Sequence, residues 1–274
     1  VANHPNSFLD AIIIATQFSE PVYFLARGDA FRKPWHRFLL RLLHMVPIYR
    51  LSEGRENLHM NNYAFKQSQE LLAAGKIVLI FIEGICLNTH QLQPFKKGAA
   101  RIALTAVAEK LDLNIMPLSV SYNSFTRFGK QVRVELSTPI PAAQLLPYDQ
   151  EALNMQHFNR EIFSRLNNMI FEPASNVVKS NNLFLPLSVL GHFLHWPLYR
   201  VIKNIILQKT RQTVFYDSVL FGALLLCYPL YLILLLILFA FVHLQFTAIA
   251  IILLLHPVSA WVAVRNKIMT GSVS

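Results

Sequence analysis

A chain of 274 residues, 54% of them hydrophobic and with a formal charge of +10, is long enough for one packed domain with an appendage. The positive mean hydropathy is high for a soluble protein, and the excess lies after Tyr216, which is a membrane signature. The two cysteines, Cys86 and Cys227, exclude a disulfide framework and any zinc spacing, while the charge suits an anionic lipid surface or a phosphate-bearing substrate better than nucleic acid.

The sequence opens at Val1 as if at the end of a strand, with neither Met nor a leader, so further residues are expected upstream. Helix patterns then alternate with short apolar strands, as in an α/β domain. Strands are expected at Val22–Leu25, Val46–Arg50, Ile77–Phe81, Ile115–Ser121 and Gln131–Leu136. Helices are expected at Phe8–Thr16, Ala30–His44, Glu56–Ala74, Gly98–Lys110 and Gln150–Phe171. In the second of these helices, Phe31, Trp35, Phe38, Leu39 and Leu42 are interleaved with Arg32, Lys33, His36, Arg37 and Arg41. That pattern fits a buried apolar face with solvated charges, or a basic amphipathic helix against a bilayer or another anionic partner.

Residues 173–188 are rich in Ser and Asn without periodicity and read as a linker, which places the first domain at 1–172. An amphipathic helix over 189–210 mixes Trp196 and Tyr199 with Arg200 and Lys203, suiting either a headgroup boundary or a packed surface. From Ser218 to Val264 there is no Asp, Glu, Lys or Arg. Residues 216–264 therefore accommodate two spanning helices, with a break near His243–Gln245. Lys209 and Arg211 precede this run while Arg265 and Lys267 follow it; both flanks are positive, which predicts a multi-pass membrane protein with its catalytic domain on the cytoplasmic side.

Chemistry concentrates in three blocks. Asn3-His4-Pro5-Asn6-Ser7-Phe8-Leu9-Asp10 joins a strand end to a helix start, where a carboxylate can hold a histidine as general base. The same residues also fit a purely local reading, since Ser7 and Asp10 have capping-box spacing. Phe81-Ile82-Glu83-Gly84 ends an apolar strand with a carboxylate and a residue that permits close backbone approach. Pro94-Phe95-Lys96-Lys97-Gly98 then leads into a helix whose free N–H groups and lysines suit an anion.

These blocks, with Pro47-Ile48-Tyr49-Arg50 and Met116-Pro117-Leu118, resemble the motifs of the glycerolipid acyltransferase family, the bacterial glycerol-3-phosphate and lysophosphatidate acyltransferases. The resemblance implies an α/β acyltransferase domain, a mixed sheet flanked by helices, followed here by the two-span hairpin. It implies an O-acyltransferase of phospholipid synthesis in which His4 is the base and Asp10 orients it. Arg50 would hold phosphate, with Lys96, Lys97, Arg101 and Arg27 as further phosphate candidates. Glu83 would bind acceptor hydroxyls, and N–H groups near Gly84 would face the oxyanion.

The implied partners are an acyl-CoA or acyl carrier protein donor, a glycerol-phosphate or lysolipid acceptor and membrane lipids, without metal, cofactor or nucleic acid. Three features depart from the family pattern. The His4-to-Asp10 gap holds one extra residue, Ile82 replaces a proline, and Ile85-Cys86 stands where Thr-Arg is usual. The last leaves acceptor phosphate to the other basic residues, or points to another lysolipid such as an aminoacyl or ornithine lipid. Cys86 is expected to pack and not to act as a nucleophile. A lipid-binding membrane module without catalysis is the alternative class.

Overall fold

The structure, a computed structural model, describes residues 1–48, 60–127, 130–170, 185–210, 213–241, 258–260 and 262. The chain divides into two compact units, Val1–Ser121 with Arg133–Phe171, and Tyr122–Val132 with Glu172–Ser274.

In the first unit, α1 (Phe8–Ala15), β1 (Val22–Arg27), α2 (Pro34–Leu42), β2 (Met45–Ile48), α3 (Met60–Ala73), β3 (Ile77–Leu79), α4 (Gly98–Ala108), β4 (Asn114–Ile115), β5 (Leu118–Tyr122), β6 (Val132–Leu136), β7 (Ile140–Pro141) and α5 (Glu151–Met169) follow one another. Strands β2, β1 and β3 form a parallel sheet, with Phe24 opposite both Met45 and Leu79. A second ladder pairs β5 with β6, and β4 runs antiparallel to β7. This mixture of parallel and antiparallel pairing, alternating with helices, is the α/β architecture that the alternating pattern predicts.

The N-terminal residues join the two ladders. Ala2 is fully buried and forms parallel bridges to Phe81 on one side and Leu118 on the other. Its N–H donates to Ile80 at 2.9 Å, Ile82 donates back to its carbonyl at 3.0 Å, and Leu118 donates to Val1 at 2.9 Å. Asn3 continues the seam with its side chain. Its Nδ2 donates to the Val120 carbonyl at 3.0 Å, and its Oδ1 accepts from the Val120 N–H at 2.8 Å.

Helices α4 and α5 build the core. Small residues Ala99, Ala100, Ala103 and Ala106 line one face of α4, which lets it approach Phe158, Ile162 and Leu166 of α5, all fully buried. Those three recur every four residues, the helical spacing that keeps one face inward.

Local chemistry changes several predicted elements. The helix expected over Ala30–His44 is split: Gly28–Phe31 forms a 3-10 turn and α2 begins at Pro34, where a missing N–H costs nothing. It stops before His44, whose φ is 57°. The strand expected over Ile115–Ser121 is broken into β4 and β5 because Pro117 cannot donate to a ladder. The short β7 lies outside the predicted strands. Helix α3 begins at Met60; its predicted first turn, 56–59, lies outside the described residues, as do Tyr49 and Arg50 at the end of the second predicted strand.

In the second unit, α6 (Leu185–Thr210) and α7 (Tyr216–Phe241) pack through Ile202, Tyr216 and Leu220. Helix α6 starts at Leu185, so the last four residues of the expected linker are helical; the rest of that linker lies outside the described residues. Gly191 faces the Ser259 carbonyl so closely that a Cβ there would stand 2.1 Å from its oxygen. Lys130 pairs with Asp217, and both side chains are largely buried. Tyr216–Leu238, at mean hydropathy 2.5, is long and apolar enough to cross a membrane. The second expected span falls mainly on 242–257, outside the described residues, so among the described residues one apolar helix stands where a two-span hairpin is expected.

Replacing Asn3 by Ala strands the buried N–H and C=O of Val120. Thermal unfolding should show a loss of about 1–3 kcal/mol, and Asp, which accepts but cannot donate, should recover only part of it.

Candidate active site

The seam through Ala2 ends beside the first loop. Pro5 and Asn6 turn the chain into α1, and Asp10 lies in its first turn. His4 Nδ1 lies 2.9 Å from Asp10 Oδ2; the histidine side chain is 17% exposed and that of the aspartate 0%. The same carboxylate oxygen accepts from the Asn6 N–H at 2.7 Å. Asp10 therefore bonds to the histidine and to the loop backbone. The capping-box reading is overturned, because the Ser7 side chain makes no cap bond. With Nδ1 donating to the carboxylate, Nε2 carries the free lone pair. The imidazole stacks on Phe81, with centroids 3.8 Å apart and planes 13° from parallel, so it is held on its face as well as its edge.

Glu83 is 4% exposed. Its Oε2 accepts from the His4 N–H at 2.9 Å and its Oε1 from the Gln93 N–H at 2.9 Å. Burial raises its pKa above the usual carboxylate value, against the lowering effect of those two N–H bonds. Both oxygens are engaged by backbone, so Glu83 holds the His4 loop and the Gln93 loop together, where the sequence suggests contact with acceptor hydroxyls. Gly84 has φ 61°, and a Cβ there would meet Lys96 Cγ at 2.8 Å. Its N–H donates to Phe81 at 3.0 Å. That donor is committed to the Phe81 carbonyl.

The basic candidates are spread around this centre. Lys96 is exposed and its N–H donates to Ile82 at 2.9 Å, which ties the Lys-Lys segment to the Glu83 strand end. Lys97 is exposed and takes the residue before α4, and Arg101 is exposed one turn into that helix. Arg27 lies at the end of β1 and grips Asp29 through two nitrogens, at 3.1 and 2.5 Å. Arg50 lies outside the described residues.

Two of the family departures touch each other. Ser7, inside the lengthened gap, has φ 52° and ψ −139°, a conformation costing about 1–3 kcal/mol in a residue with a side chain. Its N–H donates to Cys86 Sγ at 2.9 Å. Cys86 thus holds the extra residue in place. Asn6, Ser7, Phe81 and Gln93 are functional neighbours that residue-by-residue reading misses, since three of them act through backbone N–H groups and the fourth through a ring face.

The family model described as Acyltransferase matches residues 1–121. The chain is similar to a protein of Mycoplasma pneumoniae described as a probable 1-acyl-sn-glycerol-3-phosphate acyltransferase. They are 26% identical over 154 residues, covering 51% of this chain and 55% of that one; the chain thus matches about half the length of this curated relative. A crystal structure of the 1-acyl-sn-glycerophosphate (LPA) acyltransferase from Thermotoga maritima is similar at 18% identity and a TM-score of 0.39, over 61% of this chain and 64% of that one.

Two measurements check these contacts. Cys86→Ser retains an acceptor for the Ser7 N–H and should unfold close to the parent, whereas Cys86→Ala should lose about 1 kcal/mol while keeping most of any transfer activity. The raised pKa of Glu83 means that the folded chain keeps this proton where the unfolded chain has lost it. Its contribution to stability is therefore full below the unfolded value and is lost as pH rises through the folded one. Glu83→Gln should flatten that decline in a plot of Tm against pH, and should lower stability by about 1–3 kcal/mol because its amide turns a donor toward a backbone N–H.

Proposed function

We propose that the chain is a membrane-bound O-acyltransferase that transfers a fatty acyl group from a thioester to the hydroxyl of a glycerol-phosphate lipid precursor. The observation that carries this reading is the fully buried Asp10 carboxylate 2.9 Å from His4 Nδ1, inside the segment that matches the acyltransferase family. The name of the Mycoplasma relative favours lysophosphatidate as the acceptor, with glycerol 3-phosphate next.

His4 Nε2 takes the proton of the acceptor hydroxyl, and Asp10 stabilises the imidazolium that forms. The acceptor oxygen bonds to the thioester carbonyl carbon. Collapse of the tetrahedral intermediate breaks the C–S bond, and the leaving thiolate receives the proton from His4. Thiolate leaves readily, so orientation and a base are the main demands on the protein. Lys96, Lys97 and Arg101 supply positive charge around the entrance to α4 for the acceptor phosphate, together with Arg50; Arg27, already paired with Asp29, is the weakest of the set. Glu83 positions His4 through its backbone. The acyl group comes from acyl-CoA or acyl carrier protein, and no further cofactor takes part.

Helix α7 anchors the chain in the bilayer. The apolar run after it supplies a second span, so that the positive flanks and the catalytic unit share the cytoplasmic side. A second acceptor reading rests on one specific observation. Cys86 occupies the place where the family pattern has arginine, which favours a phosphate-free lysolipid such as an aminoacyl or ornithine lipid.

Thiol release from palmitoyl-CoA, measured with lysophosphatidate, glycerol 3-phosphate and a phosphate-free lysolipid in turn, tests the proposal. Release should depend on acceptor, and His4→Ala should lower it by about a hundredfold to ten-thousandfold with acceptor binding retained. Activity near that of the parent in His4→Ala removes the general-base assignment. Release with the phosphate-free lysolipid alone transfers the acceptor class to the second reading.

A further inference from the structure

Helix α2 leaves large apolar side chains on the outside of the catalytic unit. Trp35 is 63% exposed, Phe38 73% and Leu42 65%, and Leu43 beyond the helix end is 41% exposed. Spacings of three and four residues put Trp35, Phe38 and Leu42 on one helical face. The unit inserts Phe31 just before the helix, at 4% exposure, so burial on this segment is concentrated at its start and not along that face.

Around the face, Arg32, Lys33, Arg37 and Arg41 are all exposed. No acidic residue occurs from Ala30 to Ser52. Arg37 is fixed at its base by a bond from Nε to the Phe31 carbonyl at 3.3 Å, and helix α2 carries Arg41 in its last turn, where the helix dipole favours a cation.

We infer that this face of α2 is a second membrane contact, separate from α7, by which the catalytic unit docks on an anionic lipid surface. A row of Trp, Phe and Leu flanked by cations is the composition of a helix lying at the headgroup boundary, where the aromatic rings enter the interface and the cations meet anionic lipid. A second copy of this chain is a poor occupant, because pairing two such faces sets four cations against four. The bilayer is already within the chain's reach through the apolar helix Tyr216–Leu238. The contact gives the unit a lipid-facing side of its own, which suits a site that draws substrate from a membrane. That last consequence rests on the proposed acyltransferase function, whereas the docking itself does not.

The full chain contains three tryptophans, and Trp196→Phe with Trp261→Phe leaves Trp35 as the reporter. This variant is reconstituted in phosphatidylethanolamine–phosphatidylglycerol vesicles, with or without brominated acyl chains, and titrated with iodide. The expected result is loss of most Trp35 emission to the brominated lipid and little to iodide. Arg37→Glu with Arg41→Glu should reverse that preference. Iodide quenching without bromolipid quenching overturns the inference, and if an acidic carrier protein then shields Trp35, the face belongs to a protein partner instead. Equal bromolipid quenching in purely phosphatidylcholine vesicles overturns the anionic part of the assignment. Because fluorescence reads docking without turnover, a chain that docks but transfers no acyl group counts against the proposed reaction alone. In an active chain, the charge-reversed variant should lose rate with bilayer-embedded lysolipid and keep it with a water-soluble short-chain acceptor.

Discussion

The carboxylate of Glu83 ties together parts of the chain that are far apart in sequence, accepting the N–H of His4 on one oxygen and the N–H of Gln93 on the other. Placing a carboxylate out of water is unfavourable unless its oxygens are satisfied, and here two backbone donors do so. The cost of burial fixes the geometry: neither loop can move without leaving a buried charge short of a partner. His4 is consequently held by its backbone as well as by its ring, which Asp10 grips at Nδ1 and Phe81 covers on one face.

Strand pairing brings these loops together in the first place. Val1 to Asn3 supply the seam between the ladder that contains β3 and the one that contains β5, with Ala2 bonded on both sides and the Asn3 amide closed on Val120. Because the seam ends where His4 begins, the His4–Asp10 pair stands at the strand ends, the edge at which α/β sheets commonly place their ligands. The lengthened His-to-Asp loop is accommodated at the same edge. Its extra length is absorbed by the strained backbone of Ser7, and the Cys86 sulfur accepts the N–H which that strain turns outward. Two departures from the family pattern are thus one structural adjustment.

The two units meet the hydrophobic effect in different ways. In the first, apolar faces of α4 and α5 are covered by one another; in the second, α7 leaves Leu226, Leu230, Leu234 and Phe241 outward. Helix α2 belongs to the first unit yet shares this outward habit on one face, with Trp35, Phe38 and Leu42 exposed.

By itself the sequence determined the elements whose signal is local. Periodicity marked α4, α5 and the parallel strands, the uncharged run marked the apolar tail, and the resemblance carried by His4, Asp10, Glu83 and Gly84 marked the candidate site. Local chemistry also carried the information that split the predicted helix at Pro34 and the predicted strand at Pro117, although periodicity alone ran through both. Tertiary structure decided what each marked residue does. Asp10 fitted a helix cap and a histidine partner equally well, and only folding showed its carboxylate turned to His4 and the Asn6 N–H. Glu83 had the chemistry of a substrate ligand, and only folding showed its carboxylate buried between the N–H groups of His4 and Gln93. Such roles depend on N–H groups, which every residue except proline carries, and on contacts between residues some eighty positions apart, so no single side chain in the sequence announces them.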